Sequence, residues 1–135
     1  MRVVGCIIDF NEQFLLLLRD PAKPQGGMWG LPAGKVDDGE TDLEAMIREL
    51  QEETGYAADP SELTLLGEDE FLAHDDDDMP FIFTTFILKL ARPIEIKLRK
   101  DEHTDFGWTS VEDIDKIPNL ITDLEQLLYL VGYID

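Results

Sequence analysis

Apolar residues run almost unbroken from Val3 to Phe10 and again from Phe14 towards Arg19, with Asn11, Glu12 and Gln13 between the two runs. Runs of that length bounded by polar residues predict two buried strands joined by a tight turn. The stretch 20–30, DPAKPQGGMWG, is rich in Pro and Gly and predicts a loop. Beyond it the period changes. Thr41 followed by Glu44 has capping-box spacing and Gly55 stands where a left-handed C-cap falls, so the pattern predicts a helix over Asp42–Thr54. At about 100° per residue, Leu43, Met46, Ile47, Leu50 and Thr54 share one stripe, and Glu49, Glu53 and Glu52 occupy its flank.

Residues 63–73 and 80–91 predict two further strands, the second alternating Phe81, Phe83, Thr85 and Ile87 on one face with Ile82, Thr84, Phe86 and Leu88 on the other. Between them the acidic run at 74–78 reads as a solvated hairpin tip able to act as a flap, lacking the spaced ligands and glycine of a calcium loop. Arg92 to Glu95 starts a short turn and strand, 98–104 reads as a charged loop, and Phe106–Thr109 as a short strand. Ser110 is placed to cap a short helix that ends before Pro118. Leu120, Ile121, Leu124, Leu127, Leu128 and Val131 keep helical spacing, which predicts a C-terminal amphipathic helix closing one side of the sheet. Strands, helix, strands and terminal helices together predict an α/β layered sandwich, a mixed β-sheet between helices. The length of 135 residues is enough for one core and not two, so residues 1–135 are expected to be one domain.

Composition narrows the function. With 44% hydrophobic residues the chain is globular and no acidic disordered tail. Its net charge of −19 repels anions at a distance, which argues against a nucleic acid polymer as partner. A small anion that arrives with a divalent cation at a metal-loaded pocket remains compatible. Cys6 is the single cysteine, so no internal disulfide can form; a reducing compartment is expected, with Cys6 a buried structural thiol. Arg2 precedes an apolar run that breaks at Asp9 without a cleavage pattern, and no run approaches the roughly 20 apolar residues of a membrane span. A cytoplasmic protein with no membrane partner is the expectation.

The acids on the helix flank carry the candidate chemistry. Like charges three and four residues apart destabilise a helix by about 0.2–0.5 kcal/mol per pair, so a purely structural helix gains nothing from them. A hard divalent cation reverses that sign, because it binds carboxylate oxygens and retains water for chemistry. The segment 34–56 matches G-x5-E-x7-R-E-U-x-E-E-x-G-U, with U a bulky apolar residue, through Gly34, Glu40, Arg48, Glu49, Leu50, Glu52, Glu53 and Gly55. This resembles the signature box of the Nudix hydrolases. Tyr56 departs from the usual aliphatic residue at the last place, which reads as an altered packing contact.

The resemblance covers nearly the whole chain and implies a Nudix-type α/β/α sandwich. It also implies Mg2+-dependent hydrolysis of a nucleoside diphosphate linked to a moiety X, with Mn2+ as the alternative ion. Glu49, Glu52 and Glu53 are the implied carboxylate ligands, the Ala33 carbonyl a further ligand, and Glu40 lies in or near the layer behind them. Arg48 is implied to orient a glutamate by ion pairing, and Glu49 or Glu102 to take the proton of the attacking water. Relatives carry an acid a few residues before a Trp such as Trp108, where it completes the metal site or assists the attacking water; Glu102 is the choice for that place, with Asp101 or plain loop charge as the alternatives. Arg19, at a strand end, is implied to lie near the substrate phosphates. Lys23 and Trp29 are loop candidates for substrate binding, Trp29 with packing as its commoner role. His103 is read as a surface residue adjacent to Glu102 and within reach of a substrate.

No proline lies between Pro60 and Pro80 and no tyrosine between Tyr56 and Tyr129, where relatives acting on ADP-ribose or dinucleoside polyphosphates tend to carry them. These absences tilt the expectation toward MutT-type hydrolysis of a (deoxy)nucleoside triphosphate to monophosphate and pyrophosphate. A nucleoside diphosphate sugar or ADP-ribose-like conjugate is the alternative substrate, and a nucleotide sensor without turnover the alternative class. The implied partner is a small nucleotide, bound by a monomer or homodimer.

Overall fold

A computed structural model describes residues 1–73 and 79–135; the acidic run 74–78, expected to form the hairpin tip, lies outside them. Strand β1 (Arg2–Phe10) turns into β2 (Gln13–Arg19) through Asn11 and Glu12, whose φ angles of 53° and 64° are both left-handed. A two-residue hairpin turn requires that geometry, because only it matches the twist of the flanking strands. The strands pair antiparallel only beside the turn, at Asp9 with Phe14 and Phe10 with Gln13, and then diverge. Into the fork go two short strands, β3 (Trp29–Gly30) against Leu17 and Leu18 of β2, and β4 (Ala33–Lys35) against Val3 to Gly5 of β1. The first lies in the stretch 20–30 expected to be loop, and no strand was expected for the second; the edges left open by the divergence pair with them.

On its other edge β1 runs parallel to β6 (Pro80–Lys89), from Arg2 opposite Ile82 to Asp9 opposite Lys89. Antiparallel β5 (Leu63–Leu72) follows β6, and β7 (His103–Thr109) covers the far edge of β2. The result is a mixed sheet of seven described strands. Helix α1 (Asp42–Thr54) packs on one face and α2 (Leu124–Leu130) on the other.

Side-chain alternation explains the unbroken apolar runs of β1 and β2. Val4, Cys6, Ile8, Leu15 and Leu17 meet Met46 and Leu50 of α1, whereas Ile7, Phe14 and Leu16 meet Leu124, Leu127 and Leu128 of α2. Both faces of these strands are therefore core. Cys6 is fully buried, and loss of hydration pushes its thiol pKa up. Among the described residues, no helix is long and apolar enough to cross a membrane.

Several elements differ from the sequence pattern. Strand β7 starts at His103, three residues early, because its pairing with β2 continues past an irregularity at Leu18 to join Arg19 with His103. No strand forms at 92–95; Ile96 and Leu98 instead pack on the α1 side of the core, and the Lys97 N–H donates to Thr54 O at 2.8 Å. Ser110 caps no helix and donates to Asp113 Oδ2 at 3.1 Å ahead of a single tight turn at Ile114–Lys116. Helix α2 begins only at Leu124, since Asn119 and Asp123 adopt left-handed φ of 60° and 71°, and the Ile121 N–H donates to Trp29 O. Tyr56 packs against the α1-side core while its hydroxyl donates to Glu62 at 2.5 Å.

Candidate active site

Both caps read from the sequence are present on α1. Thr41 Oγ1 accepts from the Glu44 N–H at 3.1 Å, Glu44 Oε1 accepts from the Thr41 N–H at 2.9 Å, and Gly55 at φ 79° returns its N–H to Gln51 O. Arg2 of β1 and Thr84 of β6 then clamp Asp42 at the first helical position. Held at both ends, the helix presents residues 48–53 to the fork that contains β4.

Arg48 organises this turn. Its Nε and Nη2 donate to the two oxygens of Glu40 at 2.8 and 2.9 Å, and Nη2 also donates to Lys35 O at 3.0 Å. Its Nη1 donates to Glu49 at 2.8 Å and to Glu52 at 3.4 Å. Glu44, four residues earlier, is occupied by the cap and does not join the set. Glu53 is only 2% exposed and accepts the Ala33 N–H at 2.8 Å. A Cβ at Gly34 would overlap the Glu49 carboxylate where it now lies, so the glycine leaves room for that carboxylate against β4.

The electrostatics divide the acids into two groups. The Arg48 hydrogen bonds pull the Glu40 carboxyl down to about 2. Burial pushes Glu49 up, with Arg48 opposing and the charges of Glu52 and Glu102 adding. Glu53 is pushed well above the usual carboxylate range, first by burial and then by the Glu49 charge, against the backbone N–H bond from Ala33 and the Arg19 charge. Ligand atoms of Glu53, Glu102 and His103 lie within 4.8 Å of one another. The Nδ1 of His103 is buried with no hydrogen-bond partner among the described residues. Desolvated like charges beside an orphaned ring nitrogen suit a cation, and a donor set dominated by carboxylate oxygens fits a hard divalent ion.

The sequence-derived residues fall at different distances from this centre. Ala33 and Glu102 adjoin Glu53 directly. Glu52 is exposed and lies between Arg48 and Arg99, 3.8 Å from the latter. Arg19, at the end of β2, donates Nε to Pro24 O at 2.7 Å and lines a cavity of about 430 Å3. That cavity borders Ala33 and His103 and is walled chiefly by apolar groups such as Phe71, Phe81, Phe83, Met28 and Leu31. Trp29 packs into the α2-side core and Lys23 is exposed in a turn, and neither lines the cavity.

His103 corrects the surface reading, being 5% exposed because it lies in β7 and not in a loop. Burial lowers its pKa, with the Arg19 charge acting in the same direction. Arg99 was not anticipated; the only signal for it in the sequence is a basic residue shortly before Glu102.

A mixed sheet between two helices, with under-neutralised carboxylates opening beside an apolar cavity, defines an α/β sandwich built around a cation-ready acidic site. The NUDIX domain family matches residues 1–130, and the chain belongs to this family of hydrolases, which cleave pyrophosphate bonds. It is 30% identical over 118 residues to the uncharacterized Nudix hydrolase YvcI of Bacillus subtilis (strain 168), covering 87% of this chain and 70% of that one. To the 8-oxo-dGTP diphosphatase of Proteus vulgaris it is 36% identical over 84 residues, 62% of this chain and 70% of the relative. Among solved structures, the MutT protein from Methanosarcina mazei Go1 aligns with a TM-score of 0.80 at 26% identity, covering 98% of this chain and 93% of the other.

Proposed function

We propose that this protein hydrolyses a (deoxy)nucleoside triphosphate to the monophosphate and pyrophosphate by attack of water at phosphorus, using Mg2+ or, in its place, Mn2+. The observation that carries the reading is the cluster of buried Glu53 and His103 with half-buried Glu102, set beside a cavity of about 430 Å3 that His103 lines. The 8-oxo-dGTP diphosphatase relative supports a nucleoside triphosphate as substrate.

Glu49, Glu52, Glu53 and the Ala33 carbonyl would hold the ion, with Glu102 and His103 beside it. When bound, the divalent cation screens phosphate charge and lowers the pKa of water in the site. The remaining roles belong to the chain's own side chains. Arg48 fixes the Glu49 carboxylate through Nη1 and is itself held by Glu40, so the ligand geometry is set before substrate arrives. Proton transfer from the attacking water goes to a carboxylate oxygen of Glu102 or Glu49. Glu49 already accepts an ionic hydrogen bond from Arg48, whereas the Glu102 side chain accepts none among the described residues, which favours Glu102 as the base. Arg19 has both Nη groups without a hydrogen-bond partner among the described residues and meets a phosphate at the cavity rim. The apolar walls receive the base and exclude water around it.

Incubating the protein with a panel of nucleotides and nucleotide conjugates plus Mg2+, and identifying the products, tests this reading. Monophosphate and pyrophosphate from a triphosphate are expected. Cleavage confined to nucleoside diphosphate sugars moves the assignment to the conjugate class, and binding without turnover moves it to a sensor. Arg19→Ala is expected to raise KM, and a wild-type KM returns Arg19 to a structural role.

A further inference from the structure

Polyphosphate is held by N–H donors, and Arg48 has none to spare. A guanidinium has five N–H groups, and those of Arg48 are all engaged, by two Glu40 oxygens, Lys35 O, Glu49 and Glu52. Arg19 and Lys35 line the cavity with His103, whereas Glu52, Glu53 and Arg99 are not part of its lining. A chain of phosphates leaving the cavity past Glu53 therefore needs a second cation on the far side. Helix α1 does not supply one, having no basic residue in its last turn.

The segment 91–102 does. Its Lys97 N–H is fastened to Thr54 O at the end of α1. Two residues on, Arg99 O accepts the N–H groups of both Glu102 and His103 at 3.0 Å, which ties its backbone to two members of the Glu53 cluster. The Arg99 side chain is 45% exposed, donates Nε to Asp101 at 3.2 Å, and stands 3.8 Å from Glu52 through Nη1. That last separation is an ion pair without a hydrogen bond between two exposed, solvent-screened side chains, so an entering phosphate displaces little. Nη2 has no hydrogen-bond partner among the described residues, leaving a planar fork suited to two phosphate oxygens.

We propose that Arg99 is a substrate-binding residue that receives the phosphates farthest from the cavity, the end released as pyrophosphate. This rests on the triphosphate reading above. With Arg19 on the cavity side, the two arginines bracket the carboxylates and bind the polyphosphate at both ends. In a protein of net charge −19, the two arginines supply local positive charge where the substrate lies.

Pyrophosphate binding to the intact protein in Mg2+, measured by calorimetry, tests the proposal without turnover, alongside KM for a nucleoside triphosphate. Arg99→Gln is expected to weaken pyrophosphate at least threefold and to raise KM more than it lowers kcat. Arg99→Lys keeps the charge but loses the fork, and is also expected to weaken pyrophosphate at least threefold, though by less than Gln; it decides the matter if Arg99→Gln fails to fold. Pyrophosphate affinity within threefold of wild type in the folded variants overturns the proposal, a lowered Tm alone marking Arg99 as a counter-charge for Glu52. A wild-type protein that cleaves no triphosphate removes the functional reading, while the pyrophosphate titration still decides for or against Arg99.

Discussion

At the start of α1, Asp42 accepts from Arg2 Nε and Nη2 at 3.0 and 2.5 Å and from Thr84 Oγ1 at 2.8 Å. About three turns on, Glu53 is buried just as an acid should not be, with the Ala33 N–H as its hydrogen-bond donor and Glu49 and Glu102 as like-charged neighbours. The Arg2 bonds hold the Asp42 carboxyl below its ordinary range, and burial drives Glu53 well above its own. One helix thus carries a charge that the protein neutralises and a charge that it leaves over. A carboxylate taken out of water costs several kcal/mol unless paired, so the first kind serves to hold the helix and the second has to be matched by something bound.

The contrast is broken most severely by Glu53→Gln. Turnover is expected to fall about 100-fold or more, while the melting temperature without metal stays level or rises because an uncompensated charge has gone. Steady-state kinetics and a thermal melt in chelator check both halves, and an unchanged rate removes Glu53 from the mechanism. Next in size is the ion itself. Mg2+ at about 100 times its dissociation constant is expected to stabilise the wild type by about 2.7 kcal/mol and Glu53→Gln far less, read from melts with and without the ion.

The neutralised end should answer in the opposite currency. Asp42→Asn is expected to lose about 1–2 kcal/mol in urea unfolding with turnover little changed, since it removes ionic hydrogen bonds remote from the cluster. A large fall in kcat with normal stability would merge the two ends into one functional unit. The smallest effect lies in pH. A carboxyl whose folded pKa is depressed contributes stability that is full above its unfolded value and lost as pH falls through the folded one. The stability gap between wild type and Asp42→Asn is therefore expected to stay constant near neutrality and to close below about pH 4.

Much of the site was legible because it is local. Capping by Thr41 and Glu44, arrest at Gly55 and the helix that carries Glu49, Glu52 and Glu53 all follow from relations three and four residues apart. Arg48 was legible as a partner of glutamates, although Glu44 is taken by the cap and Glu40 receives the arginine in its place. Strands β3 and β4 were not legible, because their pairing depends on β1 and β2 diverging, and neither short segment carries an apolar run of its own. Helix α2 lost its predicted first turn to a left-handed Asp123 and to a bridge between Trp29 and Leu120 that spacing cannot show.

The order of residues alone determined a capped helix with an acidic flank, two strands apolar on both faces, and a site that asks for a cation. Only the tertiary structure decided that Glu102 and His103 join Glu53, that His103 is buried, and that Arg99 stands beside Glu52. Helix geometry is set by neighbours within one turn, whereas burial and charge balance arise only when β7 pairs with β2 and brings positions more than 80 residues apart side by side.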